Sequence, residues 1–289
     1  MTADARRNRR AALLSVASNS LLTAGKLAVG LLTGSVAVLS EAAHSASDLI
    51  ASGIAFVAVR ASGRPPDRDH PYGHEKAENV AAAVEGLLVI AAGGAVAVEA
   101  TRRLVAGGAE VQHIRLAVAV MAISAIVNLA VVARLRAVVR RTGSPAIEGD
   151  AAHLSADVWT SAGAAAGLAL VAITGWTPLD ALVALAVSAY VAAMGVRLTH
   201  RAVRVLVDAA LPDDEMRLVE GVLDGFARDG VSFHALRGRR AGSKRHVDVH
   251  MVVPPDTTVR RGHAMSGRMK SAVREALPNT DVLIHLEDR

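Results

Sequence analysis

The sequence predicts two parts of different class: an all-α membrane domain of six transmembrane helices, followed by a small α+β domain in water. Three observations carry this. Hydrophobic residues make up 52% of the 289-residue chain and mean hydropathy is +0.35, too high for an ordinary soluble domain. The apolar residues fall into six runs, each of about 20 residues or more and so long enough for a ~30 Å hydrocarbon core. From Leu211 the runs stop, and amphipathic and alternating patterns replace them.

The chain opens on a basic arm, residues 1–11, with Arg6, Arg7, Arg9 and Arg10, and the apolar run Ala11–Leu32 follows. That run is too long for a signal-peptide core and more spans follow, so it reads as the first transmembrane helix. Thr33-Gly34-Ser35 turns into a second span, Val36–Val59. Pro65 and Pro66 break the polar stretch Arg60–Glu78, and a third span covers Asn79–Leu104. After the Gly-rich loop Val105–Gln112 comes a fourth span, Ile114–Leu135, then Gly143-Ser144-Pro145 and a fifth, Ala146–Ile173. Gly175–Pro178 leads into the sixth, Leu179–Leu198. The membrane domain therefore occupies residues 12–208 and the soluble domain 209–289. In the latter, Asp213–Arg228 reads as an amphipathic helix opened by Pro212 and Asp213. Val231–Arg239 and Lys244–Val253 alternate as strands around Gly242-Ser243, Val259–Ala276 is helical, and Asp281–Leu286 is a last strand. An α-β-β-α-β order in about 80 residues suits a small α+β sandwich.

Charge sets the orientation. With the N-terminus inside, the inner set holds Arg6–Arg10, Arg60, Arg64, Arg68, Lys76, Arg134–Arg141 and the arginines after span six. The outer loops hold only Arg102, Arg103 and Arg115. Both termini are thus expected in the cytoplasm. The net charge of +5 is accounted for by these helix-end arginines, and 2% aromatic residues leave no stacking platform for nucleic acid. No cysteine is present, which excludes disulfides and thiolate metal sites and leaves imidazole and carboxylate, donors suited to zinc, iron, cobalt, nickel or manganese.

Two segments inside the apolar runs carry chemistry. In SEAAHSASDLIAS (40–52) His44 and Asp48 are four residues apart, and in GDAAHLSADVWTS (149–161) so are His153 and Asp157. Residues at i and i+4 share a helix face, and ionisable side chains in a bilayer mark an ion pathway. Two such pairs facing each other offer four N/O ligands, the number zinc takes in tetrahedral coordination. At ~1.5 Å per residue Asp157 lies ~15 Å along span five from the inside, and Asp48 ~12 Å from the same face, so the pairs can meet near the midplane. Glu41 and Asp150, one turn before each histidine, are candidates for supporting partners, and Asn19 and Asn128 for polar contacts between helices. His113, His200 and His246 read as ordinary surface residues.

With these residues in place the chain resembles the cation diffusion facilitators over nearly its whole length. The resemblance is carried by the twin HxxxD segments, by HPYGHEKAE (70–78), by Asp208 in VLVDAALPDD (205–214) and by the C-terminal histidines. It implies a homodimeric antiporter in the cell (inner) membrane, not an enzyme, that exports divalent metal from the cytoplasm in exchange for protons. It also implies a ferredoxin-like cytoplasmic domain that binds metal and tightens the dimer. His44, Asp48, His153 and Asp157 match the family's transport site. A histidine at position 44, where some members carry Asp, goes with zinc over cadmium, and His153 argues against manganese. Zn²⁺ is thus the expected substrate and regulatory ligand, with Fe²⁺, Cd²⁺, Co²⁺ and Ni²⁺ as alternatives, and no cofactor. Asp67, His70 and His74 match a loop site; His234, His250, His263 and His285 match a two-metal cytoplasmic site whose last carboxylate, Asp in the family, is Glu287 here. Lys76 and Asp208 match a charge pair that locks the dimer.

Two other readings of the same residues are a membrane metal sensor and a membrane metallohydrolase. The chain shows no output domain for the first, and no HExxH or comparable motif for the second.

Overall fold

The computed structural model describes residues 3–33, 36–106, 114–176, 178–227 and 230–288. Among these residues the chain forms two compact units, Met1–Val203 and Arg204–Arg289.

Six long helices make the first unit: α1 (Ala3–Thr33), α2 (Val36–Ser62), α3 (Ala77–Ala106), α4 (Ile114–Thr142), α5 (Pro145–Thr174) and α6 (Pro178–Leu206). They extend past the apolar runs at the arginine-bearing ends, since arginine is a good helix former that can stand in water there. The basic arm is helical too, from Ala3, where Arg7 pairs with Asp4 at 3.0 Å. Among the described residues four helices are long and apolar enough to cross a membrane, over Asp4–Val29, Ala77–Arg102, Ala122–Thr142 and Ala181–Leu206. The sequence leads one to expect six. The other two long helices, α2 and α5, carry Asp48 on one and Asp150, His153 and Asp157 on the other.

Alanine and glycine let these helices approach closely, the usual device where apolar burial cannot drive association in lipid. Ala11, Ala12, Ala58, Val59, Ala81, Val131, Val132, Leu135, Ala146, Ile147, Ala151 and Leu154 form one buried cluster shared by α1 to α5. Helices α3 and α6 meet backbone to backbone: a Cβ on Gly195 would lie 2.7 Å from the Gly86 carbonyl oxygen. At the end where α2 stops and α3 and α5 begin, the buried Glu78 carboxylate accepts from Ser62 Oγ at 2.7 Å and from Ser144 Oγ. Ser144 in turn accepts from the Ile147 N–H at 3.4 Å and so caps α5. Glu78 thus places a carboxylate at the positive end of that helix.

The second unit holds α7 (Asp213–Phe226), β1 (Ser232–Ala241), β2 (Lys244–Val253), α8 (Val259–Ala276) and β3 (Thr280–Asp288). β1 pairs antiparallel with β2, and β2 parallel with β3 through the α8 crossover, giving the order β1-β2-β3. Thr258 caps α8 through the Arg261 N–H. Strand alternation sends Val247, Val249 and Met251 of β2 into a core with Val219 and Leu223 of α7 and Met265, Met269 and Val273 of α8. His246, Asp248 and His250 therefore stand on the opposite face of β2.

Candidate metal centres

The first centre is built by α2 and α5. Asp48 and His153 are buried, at 5% and 6% exposure, and Asp157 is half-buried. His153 Nε2 lies 3.3 Å from Asp48 Oδ1. One donor atom from each of Asp48, His153 and Asp157 falls within 4.8 Å of the others, a spacing a single cation can bridge. His44 stands one turn before Asp48 on α2, and its side chain lies outside the described residues. The His153 Nδ1 atom is buried without a hydrogen-bond partner among the described residues.

A net of hydroxyl and amide groups steadies this cluster. Asn19 on α1 donates to Ser52 Oγ at 2.7 Å and to the Asp48 carbonyl at 3.4 Å. Ser15 and Ser52 both donate to Asp150 Oδ1 at 3.0 Å. Asp150 is thereby tied to α1 and α2 and is fully buried. Sequence reasoning passed over Lys26 and Glu85. Lys26 is 7% exposed on α1 and donates to Ser45 Oγ at 2.7 Å, next to His44 in the chain. The signal that finds both is plain: a lone ionisable residue deep in an apolar run.

The second centre is local. Asp67 Oδ1 accepts the backbone N–H groups of Asp69 at 3.0 Å and His70 at 2.7 Å. This turn brings His70 Nδ1 to 3.3 Å and His74 Nε2 to 3.2 Å from the same carboxylate. The backbone bond from His70 holds the Asp67 carboxyl below its usual range, helped by the two imidazoles. Gly73 has φ +99°, a backbone conformation that side-chain-bearing residues rarely adopt, so the turn between the two histidines calls for glycine.

The third centre follows from strand register. His234 of β1 pairs with His250 of β2, which pairs with His285 of β3. The ring centroids are 4.9 Å apart at each step. Glu287 lies two residues along β3, on the same face, and reaches back: Oε2 is 2.8 Å from His234 Nε2, and Oε1 is 2.7 Å from His250 Nδ1 and 3.6 Å from His285 Nε2. The hydrogen bonds from His234 and His250 hold its carboxyl below the ordinary value. The added methylene of glutamate is what lets one carboxylate touch three rings. Among the described residues His263 stands apart from this group, exposed on α8, because α8 packs on the core face of the sheet and the three histidines point the other way. Asp208 is held by Arg239 at 3.2 Å within its own unit.

Comparison with known proteins agrees with this architecture. The model of the cation efflux transmembrane domain matches residues 12–207, and that of the cation efflux protein cytoplasmic domain residues 211–289. The chain belongs to the cation diffusion facilitator family. An uncharacterized transporter of Synechocystis, sll1263, is 34% identical over 98% of this chain and 91% of its own length. The cation-efflux pump FieF of Shigella flexneri is 31% identical, and that of Escherichia fergusonii 30%, each over 96% of this chain and 91% of the relative. A solved structure of CzrB in its Zn form shares 30% identity over 28% of this chain and 91% of that one, with a TM-score of 0.27. Like other cation diffusion facilitators, this protein is a membrane transporter for the efflux of divalent metal cations, and its cytoplasmic domain is of the dimer-forming kind.

Proposed function

We propose that this protein exports Zn²⁺ from the cytoplasm across the cell membrane in exchange for protons, working as a homodimer with both termini inside. The observation that carries the reading is the Asp48–His153–Asp157 cluster, two buried donors and one half-buried, from two helices and within reach of one ion. His44 is assigned as the fourth ligand. A mixed imidazole and carboxylate set without thiolate favours Zn²⁺, with Fe²⁺, Cd²⁺, Co²⁺ and Ni²⁺ as chemically allowed alternatives. It also binds weakly enough to let go.

The same atoms explain the exchange. His153 Nε2 and Asp48 Oδ1 are 3.3 Å apart, close enough for a hydrogen bond between them. A cation entering the cluster needs both atoms deprotonated, so proton and metal compete for one place. High internal pH favours the metal and low external pH favours the proton; alternation of access between them makes an antiporter.

Purified protein in proteoliposomes, given Zn²⁺ on the cytoplasmic-domain side and a pH gradient, is expected to move zinc one way and protons the other. Zinc flux that neither responds to the gradient nor moves protons would overturn the coupling.

The loop site (Asp67, His70, His74) and the sheet site (His234, His250, His285, Glu287) are assigned as regulatory metal sites. Glu287→Ala is expected to weaken zinc binding at the sheet about 10- to 100-fold, seen by calorimetry on the full-length protein. Since the Glu287 carboxyl is held below its usual value of 4.5, it stays ionised across physiological pH. Affinity there should instead fall as pH drops, because the metal needs neutral imidazoles and competes with protons for them.

A further inference from the structure

Glu85 is fully buried in α3, and neither of its carboxylate oxygens has a hydrogen-bond partner among the described residues. It lies against α5: a Cβ on Gly149 would meet both the Cβ and the Cγ of Glu85 at 3.0 Å. Asp150, the next residue, is also fully buried. Its Oδ1 is taken by Ser15 and Ser52, and its Oδ2 has no partner. His153 follows Gly149 by one helical turn. On a helix of 3.6 residues per turn, positions 149, 150, 153 and 157 fall within about 100° of arc, so one stripe of α5 carries the whole series. Asp150 and His153 are the charged groups close enough to act on Glu85.

Two buried carboxyl groups with three open acceptor atoms between them are costly in a membrane unless a cation or a proton meets them. Their place suggests the cation. They stand one turn from the cluster, toward the end of α5 where the arginines of α4 and the Glu78 cap lie. An oxygen-only pair is a hard and unselective ligand set. It can strip water from an incoming ion without holding it, and His153 then offers a nitrogen that divalent transition metals prefer. The donor chemistry therefore runs downhill toward the centre of the membrane.

We propose that Glu85 and Asp150 form a second cation station, which receives the metal on its way to the Asp48–His153–Asp157 cluster. This rests on that cluster being the transport site. Two measurements test it. In proteoliposomes, Glu85→Gln keeps the shape and removes the charge. It should raise the zinc concentration for half-maximal flux about tenfold, a deficit overcome at saturating metal. In wild-type protein, dicyclohexylcarbodiimide should label Glu85, as read by peptide mass spectrometry, and Zn²⁺ should protect it, with protection persisting in Asp157→Asn. An unshifted concentration dependence in Glu85→Gln, with no protection by zinc, would overturn the station while leaving the transport site intact. Normal flux in Asp157→Asn would instead strike at the transport site itself.

Discussion

Replacing Asp48 by asparagine is expected to lower zinc export by about 100-fold, the largest effect of any single substitution in the membrane unit. The side chain is 5% exposed and its Oδ1 faces His153 Nε2 at 3.3 Å. An amide keeps the volume but removes the charge that offsets a dication in a low-dielectric site. The substitution also replaces a carboxylate that can take up a proton with an amide that cannot, so both halves of the exchange suffer together. The helix should survive, since Asn19 binds the Asp48 carbonyl and not its side chain. Flux in proteoliposomes, read beside circular dichroism, checks both parts. Wild-type flux from a well-folded Asp48→Asn protein would remove this cluster from the transport path.

The second large effect concerns stability. Glu215, 9% exposed at the start of α7, accepts from Arg245 Nε at 3.0 Å and Nη2 at 2.7 Å, and also from Arg240 on the neighbouring strand. Glu215→Ala would leave two guanidinium groups facing each other with no counter-charge, at a cost of about 2–4 kcal/mol. For a domain of this size that is a fall in Tm of about 10 °C or more. Burial alone would raise the carboxyl, but the hydrogen bond from Arg245 and the two positive charges outweigh it, and it sits below its ordinary value of 4.5. Its contribution is therefore complete above that value and fades as pH falls through the lower folded-state value. Hydrogen exchange across α7, β1 and β2 in the full-length protein, taken against temperature and pH, should show the loss. Unchanged protection in Glu215→Ala would mean that the two arginines find water instead.

Much of this was legible before any coordinates. The ends of β2 and α8 fall where the sequence patterns put them, because period is a local signal. The HxxxD spacing was also local, and it led to Asp48, His153 and Asp157. Glu85 and Lys26 stand out in the sequence only as single charges in apolar runs, a signal that marks them without naming a partner. Only packing shows that the first lies on Gly149 and the second on Ser45. Glu78 closes the polar stretch Arg60–Glu78 in the sequence, whereas in the fold it accepts from Ser144, the cap of a helix that begins 67 residues later, at Pro145. The histidines of the sheet could be named from their family pattern, but their alignment depends on two strand registers that no short stretch encodes.

The row His234–His250–His285 spans the whole width of the sheet, and its two outer members belong to strands that do not pair with each other. β1 is anchored to the rest of the domain by its hairpin, and β3 by the α8 crossover. An ion seated beside Glu287 would act as a rivet through all three strands at one level, joining the two edges across the middle one. Shear between neighbouring strands, the soft mode of a narrow sheet, would then stretch metal–ligand bonds as well as hydrogen bonds. Cytoplasmic metal would in this way be read as stiffness, and the stiffness would be felt along the entire ribbon at once.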